Sequence, residues 1–109
     1  MEEGIERRRH ERVRVSISVE WGRTPDCLER DRITSFSVGG CFVQTREAAR
    51  RGEEIYVRFW LSPDAQTLLR GEVRYHLEKV GFGMEFKGLT VEDGKNLQDL
   101  VEFFYERAP

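Results

Sequence analysis

A six-stranded antiparallel β-barrel capped by one C-terminal α-helix is the fold the sequence predicts. From Val13 to Phe86, apolar and polar residues alternate in short runs separated by turn residues, which is the period of half-buried strands. From Thr90 onward the spacing of apolar residues changes to that of a helix. The length of 109 residues suits one compact domain and is too short for two.

The elements follow in order. Val13, Val15, Ile17, Val19 and Trp21 interleave with Arg14, Ser16, Ser18 and Glu20, so the first strand buries one face. Gly22 to Asp26, with Pro25, forms a turn, and residues 27–36 return as a second strand ended by Gly39-Gly40. Cys41-Phe42-Val43 is a short third strand. Residues 46–52 form a loop or a single helical turn ending at Gly52. Ile55, Val57, Phe59 and Leu61 mark the fourth strand, and Ser62-Pro63-Asp64 supplies its turn. Leu69, Gly71, Val73 and Tyr75 mark the fifth, and Val80, Phe82, Met84 and Phe86 the sixth. Short strands on tight turns describe a small antiparallel barrel or sandwich. Thr90 to Asp93 has the form of a capping box. Leu97, Leu100, Val101 and Phe104 then place one apolar stripe on a helix over about residues 90–105, covering an open end of the barrel. Phe103 and Tyr105 fall off that stripe, either as a contact between two copies of the chain or as isolated surface aromatics.

Charge narrows the function classes. Eighteen Lys and Arg against 20 Asp and Glu give a net charge of −2, which argues against nucleic acid as a partner. No apolar run approaches the roughly 18 residues that cross a bilayer, so no membrane insertion is expected. The N-terminal residues are too charged for a secretory signal. Cys27 and Cys41 have no metal-ligand spacing and are read as reduced thiols of a cytoplasmic protein. Positive charge is instead local: Arg7, Arg8, Arg9, Arg12 and Arg14 crowd one segment opposed only by Glu11. Residues 1–12 are read as a flexible basic arm and 13–109 as the single domain.

No enzyme motif emerges. Ser37 lacks the leading glycine of a nucleophile elbow. Gly81-Phe82-Gly83 has no third glycine and opens a strand, unlike a dinucleotide fingerprint. His10 and His76 are the only histidines, and neither has a metal-binding neighbour in the sequence. No catalytic residue, metal or cofactor is assigned.

Two features exceed what a barrel requires. Arg8 and Arg12 stand four residues apart directly before the first strand. Ser35-Phe36-Ser37-Val38-Gly39-Gly40 leaves the second strand with two glycines in succession, where a turn needs one at most, which suggests a close approach to the backbone. Together, Arg8-x-x-x-Arg12 and Ser35-x-Ser37-x-x-Gly40 resemble the PilZ domain, whose signature is RxxxR followed by (D/N)xSxxG. Gly39 to Val43 and Gly81 to Phe86 resemble further segments of that family, so the likeness covers about residues 7–104.

The resemblance implies a non-catalytic receptor module for cyclic di-GMP, passing its signal to a downstream protein partner. It makes Arg8, Arg12, Ser35, Ser37, Gly39 and Gly40 the ligand-binding set, with Arg7 and Arg9 as auxiliary phosphate contacts. The residue types suit that ligand. An arginine fork bonds bidentately to guanine O6 and N7, and its flat face stacks on a base. On a mobile arm the arginines close over a seated ligand and lose their freedom only on binding. A serine hydroxyl donates or accepts, and glycine amides can face an anion without a Cβ in the way. The family's Asp or Asn is replaced here by Ser35. Losing a hydrogen bond to a charged acceptor costs about 1.5–3 kcal/mol, or about 10- to over 100-fold in affinity. Two alternatives follow: a degenerate PilZ domain that binds protein and no nucleotide, and a barrel that binds single-stranded nucleic acid through arginines and aromatics.

Overall fold

The structure is a computed structural model and describes residues 12–62 and 64–107. The strands are β1 (Val13–Gly22), β2 (Glu29–Ser37), β3 (Gly40–Gln44), β4 (Glu54–Ser62), β5 (Ala65–Leu77) and β6 (Gly81–Lys87), followed by one helix, α1 (Val91–Arg107). They close into an antiparallel barrel in the order β1-β2-β3-β6-β5-β4. Each strand therefore has a partner on both sides, which removes exposed edges. The closing seam is short: β1 and β4 pair only where Glu20–Gly22 face Tyr56–Arg58.

The alternation read in β1 is realised. Val13, Val19 and Trp21 are buried, while Arg14, Ser16 and Ser18 are exposed. Trp21 fills the centre, edge-to-face with Phe82 at 5.0 Å between ring centroids. Its indole N–H donates to Asp31 Oδ2 at 2.9 Å, so the buried ring leaves no polar atom unpaired. Ile33, Val43, Ile55, Val57 and Val73 complete the fully buried layer.

Helix α1 begins as its capping box requires. The Asp93 amide donates to Thr90 Oγ1 at 2.9 Å, and the Thr90 amide donates to Asp93 Oδ2 at 3.2 Å. Leu97 and Val101 are buried against the barrel, and Phe104 meets Phe36 edge-to-face at 6.1 Å. The helix packs on β1 and β2, beside the stretch where β1 parts from β4.

Several boundaries differ from the sequence reading. Strand β2 starts at Glu29, because Cys27 adopts a left-handed φ of 51° that turns the chain first. Gly40 begins β3 and does not end β2, leaving only Val38-Gly39 as the hairpin turn. Residues 46–50 form an irregular loop with no helical turn. That loop is held by Arg23, whose guanidinium bonds Glu53 and the Ala48 carbonyl. Burial alone would raise the Glu53 carboxyl, but hydrogen bonds from Arg23 and the Arg50 amide outweigh it and hold the group below its ordinary value.

Candidate functional site

The site grows from the way β1, β2 and β3 pair. Arg14 lies opposite Ser35 on β2, and Ser35 in turn lies opposite Phe42 on β3. Arg12, just before β1, reaches back across this pairing and its Nε–H donates to Ser35 Oγ at 3.0 Å. The first and second motifs are thus in direct contact. Arg7, Arg8 and Arg9 lie outside the described residues, as does the arm over residues 1–11; Arg12, read as the end of that arm, is tied to β2.

Arg12 and Ser35 open onto a groove of about 670 Å³, whose walls also include Arg14, Thr34, Phe42 and Tyr75. A smaller hollow of about 240 Å³ adjoins it, lined by Ser37, Gly39, Gly40, Arg74, Gly83 and Glu85. Arg12 and Tyr75 line both. The surface offers guanidinium groups for phosphate or a guanine edge, hydroxyls that donate or accept, and an aromatic platform. Glu85, the carboxylate of the smaller hollow, is paired with Arg74 at 3.3 Å and Lys87 at 3.2 Å.

The corner between β2 and β3 lines the smaller hollow and is also built into the closure of the barrel. Ser37 is only 2% exposed, and its Oγ accepts the Gly39 amide at 3.1 Å. The Gly39 carbonyl accepts the Phe86 amide at 2.9 Å. A Cβ on Gly40 would lie 2.2 Å from the Met84 carbonyl oxygen. The close backbone approach is therefore made by β6, and Gly40 is needed to seat β3 against it. Beneath this corner, burial pushes the Cys41 thiol up to about 12, only partly offset by the Arg12 guanidinium, which keeps it a neutral thiol.

Tyr75 and Arg74 were not among the sequence-derived site residues. Simple alternation points Tyr75 inward with Leu69 and Val73, but the register between β5 and β6 slips between Val73 and Tyr75. The slip turns the tyrosine outward, leaving it 48% exposed and stacked on Phe42 at 6.1 Å between centroids. The signal in sequence is faint: a side-chain-free Gly83 falls opposite an aromatic.

Comparison with known proteins decides the family. The sequence model of the PilZ domain matches residues 6–103. The chain belongs to the PilZ domain family. PilZ domains are known as non-catalytic receptor modules for cyclic di-GMP. The fold agrees with solved structures, a PilZ domain among them. The inhibitor of motility MotI/DgrA of Bacillus subtilis aligns with a TM-score of 0.79 at 18% identity, over 94% of this chain and 53% of that one. The PilZ domain of CeSA from a cellulose-synthesizing bacterium gives 0.68 at 17%, over 87% and 98%. MrkH of K. pneumonia gives 0.65 at 15%, over 91% and 47%. The chain thus spans about half the length of MotI/DgrA and MrkH. No curated protein sequence matches it significantly. No helix among the described residues is long and apolar enough to cross a membrane.

Proposed function

We propose that this PilZ domain is a cyclic di-GMP receptor that acts in the cytoplasm without catalysis. The observation that carries the reading is the Arg12–Ser35 contact at the mouth of a groove of about 670 Å³. That volume falls within the range of about 300–1,000 Å³ usual for small-molecule sites. Arg12 clamps a guanine edge or a phosphate, joined by Arg8 from the arm, with Arg7 and Arg9 as further phosphate contacts. Ser35 exchanges its bond to Arg12 for one to the ligand. Ser37 and Gly39 keep the corner in shape, and Gly40 holds β3 close to β6 beside the seated nucleotide. Closure of the arm then presents a new surface to a downstream protein.

Calorimetric titration with cyclic di-GMP tests this. The wild type is expected to show saturable binding, Arg8→Ala to weaken it, and Ser35→Asp to tighten it by restoring a charged acceptor. A folded wild type that evolves no heat at high ligand concentration refutes the reading.

A second reading, a degenerate domain that docks protein alone or pairs with another copy, is favoured by one feature. A hollow of about 450 Å³ lies between Ile17, Trp60, Leu100 and Phe104, and Trp60 stands 55% exposed at its rim. Retention of a protein partner by a variant unable to bind nucleotide would support it.

A further inference from the structure

We propose that Tyr75 is the platform on which a purine base of the ligand stacks, with the Arg12 guanidinium beside it. The proposal deepens the cyclic di-GMP reading and rests on it.

Three observations carry it. Tyr75 and Arg12 are the residues lining both the large groove and the smaller hollow, so a ligand spanning the two must pass between or over them. The tyrosine ring also lies directly on the β6 backbone. A Cβ on Gly83 would sit 2.3 Å from its Cε1 and 2.5 Å from its Cζ, so glycine there lets the ring lie flat. Finally, Phe42 flanks it across Gly83, with ring planes 30° apart and centroids 6.1 Å apart, an offset that braces the ring at its side without covering its outer face. The ring is thus held in place and half exposed before any ligand arrives, and little freedom is lost on binding.

Aromatic cover of a strand glycine could serve the barrel alone. Stacking makes a separate demand, a π-face, which a leucine of similar bulk lacks. Removing an aromatic platform lowers affinity by about 5- to 150-fold per base.

The test is calorimetric titration of the full chain with cyclic di-GMP. Tyr75→Leu, which keeps an apolar cover on Gly83, is expected to lose affinity by about 5- to 150-fold. Tyr75→Phe should bind like the wild type. Tyr75→Trp should gain an emission component that the nucleotide quenches along the same binding curve. Wild-type affinity in Tyr75→Leu overturns the proposal. So does a loss in Tyr75→Phe equal to that in Tyr75→Leu, which would make the hydroxyl the contact. If Tyr75→Leu does not fold, unquenched Tyr75→Trp emission at saturating nucleotide overturns it in turn. Failure of the wild type to bind at all overturns the receptor reading itself and this inference with it.

Discussion

Ser35 and Ser37 stand two residues apart on one strand and belong to opposite regions of the molecule. Ser37 is buried in the β2–β3 corner with its Oγ taken by the Gly39 amide. Ser35 is half-buried at the groove and accepts from an exposed arginine outside the barrel's hydrogen-bond ladder. One signature therefore contains two kinds of residue. The corner, from Ser37 to Gly40, is explained by the closure of the barrel. The groove pair, Arg12 and Ser35, is not, because the barrel closes without it. A residue type that packing accounts for says little about a ligand; one that packing leaves unexplained says more.

Substitution should separate the two regions. The largest expected effect is on the corner: Gly40→Ala places a methyl against a backbone carbonyl that has no flexible end to yield. We expect a loss at or above the roughly 1–3 kcal/mol usual for overpacking, seen as a lowered midpoint in thermal unfolding. Ser37→Ala comes next, stripping the acceptor from the Gly39 amide at a cost of about 1 kcal/mol by urea denaturation. Ser35→Ala should move the same curve by a few tenths of a kcal/mol at most, since both partners of its bond can turn to water. A Ser35→Ala variant as destabilised as Ser37→Ala would erase the distinction between corner and groove.

The smallest effect should arise far from both, at the Arg23–Glu53 tie. The Glu53 carboxyl is held below its ordinary value of 4.5, so ionisation favours the folded state. That contribution is present above pH 4.5 and is lost as pH falls through the depressed folded value. The stability gap between wild type and Glu53→Gln should therefore narrow on acidification. A gap that widens would contradict the assignment. Because both side chains are partly exposed, solvent screening keeps the effect small.

Much of the fold was legible because its signals are local. The Thr90–Asp93 box makes both of its hydrogen bonds, and the alternation from Val13 to Trp21 survives as one buried and one exposed face. What escaped depends on contacts between distant segments. The start of β3 at Gly40 is set by the Met84 carbonyl more than forty positions away. Tyr75 is turned outward by a slip in register against β6, and no count of alternating residues along β5 reveals such a slip. The candidate site divides in the same way. Arg12 and Ser35 were singled out by the two motifs, whereas the grouping of Phe42, Tyr75 and Gly83 appeared only when strand pairing brought them together.

The most direct test of the central claim is a calorimetric comparison of wild type and Arg12→Ala with cyclic di-GMP, each checked for an intact fold by circular dichroism. Saturable binding by the wild type, weakened by about 10-fold or more in Arg12→Ala with unchanged thermal stability, is the expected result. Equal affinity in the two proteins would contradict the account.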